Sequence, residues 1–485
     1  MQRLVLAKMK KITTKTKAMK KKISIYILLL LTTIGSIQAQ DYFSFYNLGD
    51  YIAQSTNVSP VYLPKNGFTF GTPANVGTYL DAGFQVNDLL VPSENDEFNK
   101  YDFNNLLTNI EPENTLTQDI NASVFMLAFR TKKGSITVFA NTRVTTSFEY
   151  SDDFISFLAN GIESFNMNTD KISTTAFNEI GIGLTRTFFN DKLAIGFRAK
   201  YLNGISHAST SKDAAFKMDV NTSNSEYTVS ASNATLNTAG IANNIELFES
   251  DEEIDIQETI FTGNTGFGFD IGATYSFSKK FSIEVAVNDI GSITWEENVV
   301  NYNIEDLDNA VFDGVNLDTE TGSLENALLD RFAEVVPMNE TTESFETELF
   351  MKSYASIKYQ ITDKNAFNLV AFNNHAYGNF EPRYSLGYNR TLKKTTFGIL
   401  ASTGQEDGEI NYGVNFAVNL GPLQFYAATD SLYDVINSIE EATGANGRLG
   451  LNFVFGYKKK VKEVEGFDAP DATPSEDEAE NNTAE

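Results

Sequence analysis

The only imidazoles among the 485 residues are His207 and His375, and cysteine is absent. That absence removes disulfides, thiolate metal sites, Fe–S clusters and a cysteine nucleophile together. A hydrolase would need histidine within hydrogen-bond reach of a serine or aspartate. His207 stands in Ser206-His-Ala-Ser209 and His375 in Asn373-Asn-His-Ala376, each among polar residues at a strand end. Both read as surface or rim histidines. Gly263-x-x-Gly266-x-Gly268 echoes a phosphate loop, but a strand pattern rather than a helix follows it, so these glycines read as lumen-facing. The acids Asp251-Glu-Glu253 with Asp255, and Asp313, Asp318 and Glu320, have the hardness Ca²⁺ prefers. Their spacing is not that of an EF-hand, and solvated acidic loops are the expectation. No catalytic residue, cofactor site or metal site is assigned, and an enzyme is not expected.

The remaining charged candidates share one property. Arg198, Lys200, Asp270, Glu284, Lys352 and Lys358 all fall on the polar face of an alternating segment. Charges enclosed in a barrel must pair or stay wet. They read as lumen-lining, either an ion-pair ladder bracing the interior or a selective constriction for a solute.

The segments holding them alternate with period two. In Gly266–Ser278 one face is Phe267, Phe269, Ile271, Ala273, Tyr275 and Phe277; the other includes Asp270, Gly272 and Thr274. Leu193–Tyr201, Phe281–Asn288, Ile410–Leu420 and Leu449–Tyr457 repeat the pattern. Runs of about 10–14 residues exceed the usual soluble strand and match the roughly 9–11 tilted residues that cross a bilayer. The second face, rich in Gly, Asn, Ser and Thr, suits a wet lumen better than the core of a soluble sandwich. The expected fold is all-β, a transmembrane antiparallel barrel of about 14 strands within a range of roughly 12–16, with long, partly helical loops. The segments are 76–85, 120–130, 134–149, 174–189, 192–204, 265–278, 280–296, 350–362, 365–376, 382–391, 395–405, 408–420, 422–430 and 447–458.

Short turns such as Asn190-Asp191, Ser278-Lys-Lys280 and Leu392-Lys-Lys394 alternate with long excursions. Residues 202–264 hold an expected hairpin, Ala214–Val220 with Tyr227–Thr235, and the acidic run Glu249–Glu258. Ser323–Val335 and Asp153–Phe165 have helical spacing, the latter expected to pack on the barrel mouth or inside it.

The first 40 residues carry nine Lys/Arg and no acid, and Ile23–Ile34 is apolar. A helix of that length spans about 18 Å, too short for a bilayer core of roughly 30 Å. Residues 1–39 read as a signal peptide cleaved after Ala39, with Met19 the expected initiator. Removing nine bases from 37 leaves 28 against 64 acids, a net charge of −36. Such acidity excludes a nucleic-acid partner. Residues 40–462 form the expected barrel, and 463–485, with nine acids and no base, an acidic tail without a core.

Several stretches resemble a Bacteroidota family of exported β-barrels described only as a domain of unknown function. They are Gln38-Ala-Gln40, Asn57-Val-Ser-Pro60 with Pro64 and Phe68, Asp191–Gly204, and Phe425-Tyr-Ala-Ala-Thr-Asp430-Ser-Leu. That family is similar in turn to FadL-type and PorV/PorP-type barrels. The resemblance implies a cell outer-membrane barrel of the 14-strand type, surrounded by outer-membrane lipid, and it carries no catalytic residues. The expected function is passive passage of a small, hydrophobic solute. The alternative is a structural or docking subunit with a partner in an envelope or secretion complex.

Overall fold

The computed structural model describes residues 43–92, 100–160, 164–221, 223, 226–241, 261–313, 336, 338–375, 382–403, 410–432 and 442–457. The expected signal peptide and Met19, the acidic run Glu249–Glu258, the helical pattern Ser323–Val335 and the tail 463–485 lie outside them, as do Asp318 and Glu320. The described chain closes into a 14-strand antiparallel barrel. β1 is interrupted, running Asn66–Gly71 and Val76–Asp81. β2 is Glu113–Thr131, β3 Gly134–Ser151, β4 Lys171–Phe188 and β5 Leu193–Thr210. β6 is Thr265–Ser276, β7 Phe281–Trp295, β8 Lys352–Thr362, β9 Asn365–Asn374 and β10 Arg383–Thr391. β11 is Thr395–Thr403, β12 Ile410–Leu420, β13 Leu423–Thr429 and β14 Gly444–Tyr457.

Closure runs through β1. Phe68 faces Phe455 of β14 on one side and Phe129 of β2 on the other. Tyr79 does the same between Asn446 and Asp119. With no free edge, the ladder satisfies the backbone groups that hydrocarbon would otherwise strand. None of the described helices is long and apolar enough to cross a membrane.

The strand pattern expected from alternation is present throughout, with two corrections. The first strand was expected at 76–85; it begins ten residues earlier, and Thr72–Asn75 loop out between its halves. Pro73 in that loop has no N–H to donate, so a continuous ladder is impossible there. β2–β5 are 18 or 19 residues long, longer than the expected segments 120–130, 134–149, 174–189 and 192–204. At about 3.3 Å per residue they rise roughly 60 Å, far beyond a bilayer. Their outer portions, such as Thr145-Thr-Ser147, are polar on both faces, so alternation of hydrophobicity cannot mark where they end.

Six turns of two to four residues close one rim, beside the start of β1 and the end of β14. All the long excursions leave the other. The expected hairpin forms as Ala215–Asn221 with Glu226–Ser232 and is joined by Phe165–Asn166 and Leu307–Asp313 in a four-stranded sheet. Met218, Val229, Phe165 and Val336 form its core. Asp152–Asn160 is the expected amphipathic helix, set at the long-loop rim with Phe154 edge-on to Phe148 of β3.

Outward residues of β6 and β7 are the apolar set. Phe267 is 64% exposed and Phe277 57%, while Asp270 is fully buried. Substituting Phe269 or Ile271 by arginine should therefore cost about 2–4 kcal/mol near the bilayer midplane. A urea titration of the folded, heat-modifiable band checks this; unchanged midpoints for both variants would mean the faces are inverted.

Candidate functional site

A barrel of eight strands can fill its interior with its own side chains, but the diameter grows with strand number. Here the chain supplies the filling itself. Residues 43–65 enter the barrel as a short helix α1, Phe43–Leu48, followed by 3₁₀ turns at Gly49–Tyr51 and Ala53–Asn57. All six residues of α1 are buried, between the wall strands β9–β13 and the plug's own 3₁₀ turns. Phe43 packs edge-on to Phe372, Phe45 to Tyr426, and Tyr46 lies 5.6 Å from Tyr354. Val370, Leu400, Ala417 and Ala428 complete that core from the wall. This corrects the expectation of a wet inner face: on the side of β9–β13 the inward residues pack a plug.

Small inward residues make the room. A Cβ at Gly196 would collide with the Pro60 carbonyl, and one at Gly387 with the Asn47 amide. Uncharged amides then fix the plug. Asn389 Nδ2 donates to the Asn47 carbonyl at 2.6 Å, and Asn368 Nδ2 to Asn47 Oδ1 at 2.8 Å. Gln54 and Asn452 exchange two bonds, and Gln424 Nε2 donates to the Tyr51 carbonyl. Thr185 Oγ1 reaches the Pro60 carbonyl at 2.6 Å.

Next toward the long-loop rim comes a buried charged layer. Arg143 binds Asp289 through both terminal nitrogens, at 2.8 and 3.0 Å, and Glu179 at 3.4 Å. Lys200 lies 2.6 Å from both Asp270 and Asp289. Arg198 pairs with Asp270 at 3.4 Å, donates to the Thr56 carbonyl of the plug and covers the Phe139 ring. Lys352 pairs with Asp119. Four bases thus face four acids, and the layer is neutral.

Asp289 owes its place to a β-bulge. The β6–β7 register slips between Phe269 and Ile271, and Asp289 takes a φ of 61°. Such a backbone costs a non-glycine residue energy, recovered here because the Asp289 N–H donates to Asp270 Oδ1 and its carboxylate turns inward. Without the bulge, strict alternation would aim this charge at lipid.

Of the six charged residues chosen from sequence, the structure brings Arg198, Lys200, Asp270 and Lys352 into this layer. Glu284 lies apart, accepting from Thr274 Oγ1 at 3.0 Å, and Lys358 is half-buried near the Gly49 turn. Arg143, Asp119, Glu179 and Asp289 were missed. The signal for Asp289 was present, as a carboxylate on the otherwise apolar phase Phe281, Ile283, Val285, Val287.

Above the charges sits an aromatic layer, with Phe177, Leu202, Ile293 and Trp295 buried together. His207 belongs to it, 1% exposed and stacked on Trp295 at 5.1 Å, which corrects its expected rim position. β5 runs six residues past the expected end at Gly204, and Thr235–Ala239 covers it there. Burial is tolerated because Thr175 and Ser209 hydroxyls each meet one ring nitrogen at 2.9 Å. His375 is at the end of β9, 2.9 Å from the Ser353 hydroxyl. Gly266 and Gly268 lie within β6, and no helix follows them.

A cavity of about 20 Å³, large enough for about one water, lies between plug and wall. Phe45, Gln54 and Asn57 line it from the plug, and Asn75, Gly77 and Arg448 from the wall beside the β1 interruption.

Residues 60–430 match a family of unknown function, DUF5723. The chain belongs to it. No curated protein matches the sequence. Among solved structures, the toluene transporter TbuX of Ralstonia pickettii is 10% identical over 83% of this chain and 94% of its own, with a TM-score of 0.40. The toluene transporter TodX of Pseudomonas putida is also 10% identical, over 83% and 92%, at 0.40. A porin of Rh. blastica is 8% identical over 80% and 99%, at 0.25. The fold described above rests on this chain's own strand pairing.

The charged layer yields a stability test. Arg143→Met leaves the four acids of the layer facing three bases, with Lys200 as the one base beside both Asp289 and Glu179, and should cost about 3–5 kcal/mol. Adding Asp289→Asn should recover part of that loss, contacting pairs being coupled by about 0.5–3 kcal/mol. Denaturant titrations of the wild type, both single variants and the double variant check this; additive losses would show no coupling.

Proposed function

We propose that this protein is a non-enzymatic channel of a Bacteroidota outer membrane, passing a small, largely apolar solute between its plug and its wall. The observation that supports this reading is the void beside the interrupted strand β1. Magnitudes decide against a route that expels the whole plug. Its eight buried apolar side chains, Phe43, Phe45, Tyr46, Leu48, Tyr51, Ile52, Val58 and Tyr62, each gain about 1.5–3 kcal/mol from burial. Their sum, roughly 12–24 kcal/mol, leaves a wholly ejected plug unpopulated. Local shifts beside Asn75 and Arg448 are far cheaper, since packing is already incomplete there. Phe45 and Tyr426 offer aromatic contact, while Asn and Gln amides set a polar edge.

Deleting residues 43–62 should convert the protein into an open pore, with liposome swelling by small sugars rising well above wild type. Gly196→Val, which crowds Pro60, should raise swelling less. Wild-type swelling for a correctly inserted deletion variant would sink the channel reading.

A second reading, a docking subunit of an envelope complex, is favoured by the long-loop rim. It carries two lobes with their own cores, one around Met218 and Val229, the other around Leu89, Leu106, Tyr150 and Ile155. Stoichiometric co-purification of an envelope protein, lost on removal of the hairpin 215–232, would favour it.

A further inference from the structure

In a chain of net charge −27, seven exposed lysines gather at one end of the barrel, against Lys100, Lys212 and Lys217 among the described residues of the other. The short turns carry Lys132 and Lys133 between β2 and β3, Lys279 and Lys280 between β6 and β7, Lys364 between β8 and β9, and Lys393 and Lys394 between β10 and β11. All seven are exposed. Only Asp191 and Asp363 oppose them in the short turns, and Asp191 is engaged by the Thr187 hydroxyl. The opposite rim is acidic, with Glu296, Glu297, Glu305, Glu343, Glu346 and Glu348 all exposed.

The lysines are not held away from the apolar wall. Phe277 and Phe281 bracket Lys279–Lys280, and Leu392, 38% exposed, adjoins Lys393. Phe129 and Ile136, both exposed, flank Lys132–Lys133, and exposed Ile361 precedes Lys364. A lysine at the margin of a lipid-facing band lays its stem on the apolar surface and its ammonium at headgroup level. Rings of cations at that depth attract anionic headgroups.

We propose that this short-turn rim binds the phosphates of anionic phospholipids in the leaflet it enters. The inference rests on the outer-membrane reading and names the lipid chemistry of one face. An acidic protein would have to approach a surface whose ammonium groups already lie among headgroups, so lipid is the fitting partner.

The test uses the purified full chain in lipid nanodiscs, which leave both faces accessible, made of phosphatidylcholine alone or with phosphatidylglycerol. Amine acylation read by mass spectrometry should be about fivefold slower at Lys133, Lys280 and Lys394 in the anionic discs, each lysine near such a surface gaining a factor of that order. Lys212, exposed at the other rim, is the internal reference and should not change. Near 1 M salt, where the screening length is about 3 Å, the protection should shrink. A variant with Lys132, Lys133, Lys279, Lys280, Lys393 and Lys394 replaced by glutamine should lose the preference for anionic discs during incorporation, and the matching arginine variant should keep it. Equal labelling in both discs would overturn the proposal. Protection already complete in phosphatidylcholine and abolished by removing 463–485 would overturn it too, by making the chain's own acidic tail the occupant. Failure to incorporate into either disc would overturn the membrane reading along with it.

Discussion

The structure depends on one constraint: a 14-strand wall encloses more space than its own inward side chains can fill, so the lumen either stays wet or is packed by other parts of the chain. Interiors pack to the density of organic crystals, and a void forfeits the contacts of every atom lining it. The chain meets the constraint in layers from the short-turn rim upward. Along β5 alone, Gly196 admits the plug, Arg198 and Lys200 enter the charged layer, and Leu202 and His207 join the aromatic one. The plug is made of the residues immediately before β1, so the segment that closes the lumen is covalently tied to the strand that closes the barrel.

The charged layer shows how eight acidic and basic side chains can be buried together. Removing ions from water costs several kcal/mol each, and attraction offsets that only with good geometry and full pairing. The geometry here comes from seven consecutive strands, β2 to β8, each contributing at least one member at the same height. The bulge at Asp289 supplies the carboxylate that brings Arg143 and Lys200 together. Being neutral, the layer offers little attraction to a free ion. It reads better as a brace between wall and plug, through the Arg198 bond to Thr56, than as a selective constriction.

Polarity along the barrel axis follows from chain direction. Even strand number puts the start of β1 and the end of β14 at one rim, and the shortest turns are found there. Short turns have room for exposed lysines and little else, whereas the excursions at the other rim are long enough to build lobes with cores of their own.

The sequence by itself determined the wall. Period-two alternation in segments such as Gly266–Ser278 placed the strands, told lipid face from lumen face, and located the turns, because side-chain direction in a strand is a local consequence of the pleat. It could not reveal the plug. Phe43–Leu48 is a six-residue helix without an amphipathic stripe, and what makes it buried is the wall of strands more than 300 residues away. The ends of β2–β5 were hidden for a related reason, since strands that leave the lipid lose the contrast between their faces. Tertiary structure alone decided which charges meet. Asp119 and Lys352 are 233 residues apart, and Asp289 turns inward only because the register of two paired strands slips by one residue. Alternation is written residue by residue, whereas pairing, bulging and filling depend on closure, which exists only once the last strand has met the first.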